Sequence, residues 1–304
     1  MRALITGGRG FVGTWLAEHL REQGDEVTLV DRETDVTDEA AVTAAVRAAR
    51  PAALYHLAAL THVGESWASP LDVLRVNVLG TAAVLGAARS LETAPRVLVV
   101  SSAEVYGVVT PEQLPLGEDT PLSPATPYAA SKAAAEAVAL QAWRGYGEHV
   151  VVARPFNHVG PGQASTFAVP ALARRIVEAC RDGSPWLRTG TLTTRRDFTD
   201  VRDVVRAYRL LLERGQPGGV YNVCSGRDVA VADVATRLVA LAGADLRLQT
   251  DPELVRPVDI PVLRGDPSRV TAATGWRPAI PLDETLRDVL AYWNEQLAGR
   301  PSAG

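Results

Sequence analysis

Five short apolar runs alternate with helical segments over the first half of the chain, and this alternation limits the possible folds more than any other feature. The apolar runs cover residues 2–6, 27–30, 53–57, 97–100 and 150–153. Between them, helices are predicted over 14–22, 38–50, 72–90 and 127–146. Strands that alternate with helices predict a parallel, doubly wound α/β sheet. Short runs with little polar alternation indicate strands that are covered on both faces.

The second half of the chain does not continue the regular alternation of strands and helices. The glycine- and proline-bearing loop NHVGPGQ follows Pro155 and Phe156, and segment 256–277 is mostly irregular. Helices are predicted over 167–180, 200–213, 229–241 and 282–297, with short strands near 186–187 and 220–223. We therefore expect a Rossmann-type domain over 1–155, with return segments around 190–225. We expect a smaller α+β substrate-binding cap over 156–304, at the sheet edge where ligands of such folds bind.

Composition excludes several classes of function. The chain has 304 residues, 22% of them charged, and a net charge of −4 without a basic block, so we expect no nucleic-acid partner. No apolar run is long enough to span a bilayer, and a strand that begins at Arg2 leaves no room for a signal peptide. Cys180 and Cys224 lie far apart, as free thiols of a cytoplasmic protein do. The histidines show no ligand spacing, so no metal site is expected.

A glycine pattern, Gly7-xx-Gly10-xx-Gly13, lies between the first strand and the first helix. Glycines there permit a tight turn, the close approach of a pyrophosphate and close packing of helix on strand. The helix N-terminus then faces the negative charge. The pattern predicts a dinucleotide site, with a purely structural turn as the alternative.

The end of the second strand predicts which dinucleotide binds. Asp31 there can accept hydrogen bonds from the ribose hydroxyls of the adenosine and would repel a 2′-phosphate, which favours NAD(H). Arg32 follows directly and could partly reverse this preference, so NADP(H) stays possible. Asp35 and Val36 lie where they would meet the adenine, although Asp35 could also be a solvated turn residue.

Tyr128 and Lys132 stand at positions i and i+4 on one face of a predicted helix. Lys132 is the only lysine among 31 Lys and Arg residues, which indicates that this position requires an ammonium group. An ammonium group near a phenol lowers the phenol pKa, so that the tyrosine can exchange protons near neutrality. Ser102, at the end of the fourth strand, would hydrogen-bond the substrate oxygen beside Tyr128.

In these motifs the chain resembles the extended short-chain dehydrogenases/reductases that act on nucleotide sugars. The resemblance rests on the glycine loop, on His56-Leu57-Ala58-Ala59 and on Asn77, Ser102, Tyr128 and Lys132. It covers nearly the whole chain and implies a hydride moved to or from C4 of a hexose. It implies cofactor contacts from Gly7, Gly10, Phe11, Val12, Gly13, Asp31, Arg32, Asp35, Val36, Leu57, Ala58, Ala59, Asn77, Tyr128, Lys132 and Pro155.

Three further stretches resemble the GDP-sugar branch of that family, which holds GDP-mannose 4,6-dehydratases and GDP-4-keto-6-deoxy-sugar reductases. They are HVGESW (62–67), RPFNHVGPGQ (154–163) and RRDFTDVRDVVRAY (195–208). The resemblance implies that Asn157 and Arg196 contact the diphosphate, with Arg256 and Asp259 near the nucleotide. Paired hydrogen bonds from an arginine suit a pyrophosphate. The remaining substrate contacts are expected from Ser66, Ser102, Glu104 and His158.

Members of this branch catalyse either dehydration or reduction, and the resemblance to the branch alone does not decide between the two reactions. Glu104 occupies the position at which the dehydratases carry a further acid or base, which supports dehydration. The short connection DRETDVTDEA (31–40) leaves no room for a helix of its own, and together with RPVDIP (256–261) it is more similar to the 4-keto reductases. We therefore expect reduction of a GDP-4-keto-6-deoxyhexose to a GDP-6-deoxyhexose of the GDP-rhamnose type. Dehydration or epimerisation and a non-catalytic nucleotide sensor are the alternatives.

The same resemblance predicts the oligomeric state of the protein. The helices over 72–90 and 127–146 have Ala-rich faces, which in this family pair across a two-fold axis. We expect a homodimer.

Overall fold

Twelve strands form three sheets in the computed structural model, which describes residues 1–254 and 260–298. In chain order they are β1 (Arg2–Thr6), β2 (Glu26–Val30), β3 (Ala53–His56), β4 (Arg96–Val100), β5 (Val150–Pro155), β6 (Asn157–Val159), β7 (Trp186–Thr189), β8 (Arg195–Asp200), β9 (Val220–Val223), β10 (Asp228–Ala230), β11 (Arg247–Thr250) and β12 (Val262–Leu263). Six of them form one parallel sheet in the order β2-β1-β3-β4-β5-β9. The predicted α/β class and its parallel sheet are confirmed.

The α-helices of the described residues are α1 (Phe11–Glu22), α2 (Glu39–Ala49), α3 (Val63–Ser66), α4 (Pro70–Leu74), α5 (Gly80–Arg89), α6 (Pro127–Tyr146), α7 (Ala168–Asp182), α8 (Val201–Arg214), α9 (Val231–Leu241), α10 (Ser268–Thr274) and α11 (Leu282–Ala298). Helices α1 and α8 cover one face of the large sheet, and α2, α5 and α6 cover the other. Successive strand residues point to opposite faces. Ile5 therefore packs with α1 and α8, whereas its neighbour Leu4 packs with α2, α5 and α6.

The cap is built around two small sheets. One has the order β10-β8-β12, with β6 also paired to β8, and the other joins β11 to β7. Apolar faces of α7, α9 and α11 meet in a separate core, which contains Ile176, Leu238 and Leu286. Helix α8 and strand β9 return to the large sheet, and they lie within the region where we predicted return segments.

The predicted helix over 72–90 is not continuous. A π-helical turn, Arg75–Leu79, separates α4 from α5. Within Pro70–Arg89 a window of 18 residues has a mean hydropathy of 1.5, so by length and composition this segment could cross a membrane, and the expectation that no apolar run is long enough was wrong. A buried fraction of 44% and packing of α5 against α2 and α6 fit a core helix of the fold.

Several short strands of the cap were missed, namely β6, β8, β10, β11 and β12. Segment 256–277, predicted to be mostly irregular, contains β12 and α10 in its described part. Helix α2, which corresponds to the helix predicted over 38–50, begins at Glu39 and lies between β2 and β3.

Helix α6 begins and ends where local sequence dictates. The Thr126 hydroxyl accepts a hydrogen bond from the Ala129 amide at 3.1 Å, and Pro127 occupies the first helical position, where it needs no donor. Gly147 ends the helix at φ +72°. These caps place Tyr128 and Lys132 in its first two turns, at the carboxyl end of β4.

Candidate active site

A cleft of about 1190 Å³ opens between the carboxyl ends of the large sheet and the cap. Its walls come from the glycine turn, the ends of β2, β3 and β4, the start of α6, and the loops before and after α7. A single small ligand needs roughly 300–1,000 Å³. The volume therefore suits two ligands side by side, such as a dinucleotide and a nucleotide sugar.

The glycine turn fits a dinucleotide. Gly7 has φ +68°, and a Cβ there would lie 2.9 Å from the Ala58 amide nitrogen. A Cβ on Gly13 would lie 2.3 Å from the Gly7 carbonyl oxygen. Gly10 precedes α1 without a side-chain cap, so the first amides of the helix are left for an anion. Phe11, Val12, Leu57, Ala58 and Ala59 line the cleft beside this turn, as expected.

The end of β2 presents a carboxylate to the cleft. Asp31 Oδ2 accepts a hydrogen bond from the Arg9 amide at 2.6 Å, and its Oδ1 accepts one from the Arg32 amide at 2.9 Å. Asp31, Arg32, Asp35 and Val36 line the cleft, together with Thr34, which the sequence did not single out. Thr37 donates to Asp35 from its amide and hydroxyl, which lowers the pKa of that carboxyl.

Ser102 and Tyr128 meet on the floor of the cleft. Both line the cleft, and the Glu104 amide donates to Ser102 Oγ at 3.2 Å. Burial raises the pKa of Tyr128 to about 12; the nearby Ser102 hydroxyl opposes this rise, and the charge of Glu104 adds to it. Tyr128 therefore holds its proton throughout the neutral range.

Lys132 is buried one turn below Tyr128. Its Nζ donates to the Val100 carbonyl at 2.8 Å, at the end of β4. Burial lowers the Lys132 pKa to about 8, and the charge of Glu136 opposes this decrease. We predicted that Lys132 lowers the Tyr128 pKa, and this was wrong for the structure described here. Burial of Tyr128 is the larger effect, and the ammonium group is bound to a backbone carbonyl.

Asn77 does not line the cleft, in contrast to the prediction that it contacts the cofactor. The π-helical turn brings its side chain inward, where Oδ1 accepts from the Leu60 amide at 2.8 Å and Nδ2 donates to the Leu60 carbonyl at 3.1 Å. Nδ2 also donates to Ser131 Oγ at 2.8 Å, and Ser131 donates to the Tyr128 carbonyl at 2.7 Å. Asn77 therefore connects the loop after β3 to the helix that carries Tyr128.

His56 belongs to the same buried polar network. Its Nδ1 lies 2.8 Å from Thr6 Oγ1 and its Nε2 lies 3.0 Å from Thr81 Oγ1. Thr81 donates its only hydroxyl proton to the Asn77 carbonyl, so His56 Nε2 carries the proton that bridges to Thr81. Burial lowers the pKa of His56 to about 3, so the ring is neutral and structural.

The substrate half of the cleft contains most of the predicted contacts. Glu104, Asn157, His158 and Arg196 line it, and Pro155, expected to contact the cofactor, lines the cleft from the carboxyl end of β5. The His158 ring is stacked on Phe11 with 6.1 Å between centroids, and burial lowers its pKa. Arg196 Nη1 donates to the Ile260 carbonyl at 2.6 Å, which holds its guanidinium at the cap wall.

Three predicted substrate contacts remain, namely Ser66, Arg256 and Asp259. Ser66 is buried and its hydroxyl donates to the Val63 carbonyl at 2.6 Å, so it closes a turn of α3 and does not line the cleft. Arg256 and Asp259 lie outside the described residues.

The structure adds cleft residues that the sequence prediction missed. Apart from Arg175 in α7 and two residues of a short 3-10 helix, Glu253 and Leu254, they lie in loops: Thr61, His62, Gln163, Ala164, Ser165, Thr166, Phe167, Gly190, Thr191, Leu192 and Thr194. The runs QASTF and TGTLTT, each beside a predicted cap element, were the available signal. His62 reaches across the cleft to Phe167, with ring centroids 6.2 Å apart.

Comparisons with known proteins agree with this geometry. The family model described as GDP-mannose 4,6 dehydratase matches residues 32–289. The GDP-6-deoxy-D-mannose reductase of Pseudomonas aeruginosa is 36% identical over 97% of this chain and 98% of its own length. The structure of RMD from Pseudomonas aeruginosa complexed with NADPH has a TM-score of 0.90 at 35% identity, covering 97% of this chain and 100% of that chain. A Thermus thermophilus UDP-glucose 4-epimerase complexed with NAD has a TM-score of 0.87 at 31% identity, covering 99% of this chain and 100% of that chain.

Proposed function

The chain belongs to the GDP-mannose 4,6-dehydratase family of nucleotide-sugar enzymes, and we propose that within it this protein is an NAD(P)H-dependent reductase of GDP-4-keto-6-deoxyhexoses. The product is a GDP-6-deoxyhexose of the GDP-rhamnose type. One observation carries the choice of reaction: the chain is 36% identical over 97% of its length to a GDP-6-deoxy-D-mannose reductase. The site agrees with it, because burial raises the pKa of Tyr128 and keeps its phenolic proton in place on the cleft floor. A reduction needs such an acid beside the carbonyl oxygen.

The roles of the residues follow from their contacts. The nicotinamide supplies a hydride to C4 when it is bound. Tyr128 gives its phenolic proton to the C4 oxygen as negative charge develops there. Ser102 lines the cleft near the Tyr128 hydroxyl, so it can orient the same oxygen. Lys132 donates a hydrogen bond to the Val100 carbonyl and so places a positive charge at the carboxyl end of β4.

Glu104 has a supporting role in this reaction. It lies in the cleft wall two residues after Ser102, and its charge raises the Tyr128 pKa. A carboxylate at this position keeps Tyr128 in the acid form that a reductase uses. A dehydratase would instead need Glu104 as an acid or base in proton removal at C5 and loss of the C6 hydroxyl, and this is the second candidate function.

The proposal is tested by following nicotinamide absorbance with reduced cofactor and 4-keto-6-deoxy sugars linked to GDP or dTDP. We expect cofactor oxidation with the GDP-linked sugar, and none from the Tyr128→Phe variant. No oxidation with either sugar would refute the reductase assignment. A Glu104→Gln variant as damaged as Tyr128→Phe would favour dehydration.

We further propose a homodimer formed through α4, α5 and α6. Leu71 and Leu79 on this surface are 79% and 59% exposed, and Leu74 is 38% exposed. Large apolar side chains grouped on one face are typical of a protein interface. A monomeric mass in light scattering would contradict this part of the proposal.

We also propose a cytoplasmic location, supported by two free cysteines, exposed Cys180 and buried Cys224. Fractionation of cells that express the tagged chain tests it, and recovery outside the soluble cytoplasmic fraction would contradict it.

A further inference from the structure

Four charged residues surround the end of β2, where the adenosine ribose of a dinucleotide binds in this fold. Asp31 and Arg32 line the cleft, and Arg9 and Glu33 stand beside them. Arg9 Nη1 lies 2.9 Å from Glu33 Oε2. The other carboxylate oxygen of Glu33 accepts from the Asp31 amide at 3.3 Å. The Arg9 amide donates to Asp31 Oδ2 at 2.6 Å, which closes a ring of contacts.

This ring has opposite consequences for the two nicotinamide cofactors. The Asp31 carboxylate suits the two ribose hydroxyls of NAD(H) and repels a 2′-phosphate. NADP(H) requires a cation nearby, and an arginine fork is the side chain best suited to a phosphate. Arg9 and Arg32 are the two cations that flank Asp31. The Arg9 guanidinium is engaged by Glu33, on a chain segment 24 residues away.

We infer that Glu33 is a specificity-determining residue that directs the enzyme toward NAD(H) by holding Arg9. In this arrangement Glu33 neutralises the cation that a 2′-phosphate needs and adds a second negative charge beside Asp31. The inference rests on the nicotinamide cofactor of the proposed function and does not depend on the sugar substrate.

The exposure of the pair sets the size of the effect. The Arg9 and Glu33 side chains are 65% and 47% exposed. Exposed ion pairs are weak, so releasing Arg9 should change relative cofactor affinity by about threefold to fivefold. Both side chains lie at the surface, so the variants below should keep the fold.

The test measures dissociation constants of NADH and NADPH by quenching of protein fluorescence, for the wild type and for Glu33→Gln. We expect Glu33→Gln to tighten NADPH binding relative to NADH by that factor, and the ratio of kcat/KM values for the two cofactors to follow. An unchanged affinity ratio would overturn the inference.

Two matched variants separate release of Arg9 from simple loss of negative charge. The Arg9→Gln substitution keeps the backbone contact to Asp31, and in its background Glu33→Gln should give no gain. Glu39→Gln removes an equal charge from the first turn of α2, where Glu39 is exposed and does not line the cleft. It should leave the affinity ratio unchanged. A gain of equal size in either control would overturn the inference, whereas a wild type that binds neither cofactor would refute the proposed function itself.

Discussion

Replacing Lys132 by Met should stabilise the folded protein while it removes activity. The Lys132 ammonium group is buried and donates a hydrogen bond to the Val100 carbonyl at 2.8 Å. Burial lowers the Lys132 pKa from 10.5 to about 8. A charged group in such a place lowers the free energy of unfolding, and a methionine of similar length removes that penalty.

The magnitude follows from the pKa difference. Each pKa unit corresponds to about 1.4 kcal/mol, so the shift from 10.5 to about 8 corresponds to roughly 3 kcal/mol at neutral pH. Losing the hydrogen bond to the Val100 carbonyl offsets about 1 kcal/mol of this gain. We therefore expect Lys132→Met to raise the free energy of unfolding at pH 7 by roughly 2 kcal/mol.

The pH dependence identifies the charge as the cause. Between the folded pKa of about 8 and the unfolded value of 10.5, the unfolded chain binds more protons at Lys132 than the folded chain does. The penalty from Lys132 is therefore complete below this window and disappears as the pH rises through it. Urea unfolding of both proteins across the window should show the advantage of Lys132→Met shrinking toward zero or below. A variant that is less stable than the wild type at pH 7 would refute the reasoning.

Four further predictions concern single properties. Tyr128→Phe should lower kcat by at least about 100-fold, whereas Glu104→Gln should keep most of the reductase activity, and steady-state kinetics that show equal losses would contradict this. Activity should fall as the pH rises past about 8, where Lys132 loses its proton, and a flat rate profile to pH 10 would contradict it. Leu79→Glu should give a monomer in light scattering, because it buries a charge in the proposed interface. Asn77→Ala should lower the free energy of unfolding by about 1–3 kcal/mol in urea titrations, since it leaves both backbone groups of Leu60 without their partner, and an unchanged midpoint would contradict this.

The large sheet and the core of the site were predictable because their signals are local. A strand, a glycine turn and a helix follow one another within Arg2–Glu22. Tyr128 and Lys132 share a helix face by their spacing alone. The alternation of strands and helices then determines which strand ends meet, so the placement of Ser102 near Tyr128 also followed.

The errors have physical causes that a single sequence does not display. A π-helical turn adds a residue to one helical turn, and around Asn77 it directs inward a side chain that was expected in the cleft. The Ser66 hydroxyl donates to the Val63 carbonyl within its own helical turn, and no pattern of neighbouring residues predicted this contact. The Tyr128 pKa depends on burial, which is a property of the tertiary fold. The contact of Arg9 with Glu33 joins residues that are 24 positions apart.

Transfer of a deuterium label tests the central claim most directly. The enzyme is mixed with reduced cofactor that carries deuterium at the transferable position and with the GDP-linked 4-keto-6-deoxyhexose, and the product is examined by NMR and mass spectrometry. The account predicts one deuterium per sugar, bonded to C4, with one cofactor oxidised per product. A sugar without deuterium, or formation of the 4-keto-6-deoxy sugar from GDP-mannose without net cofactor oxidation, would contradict it.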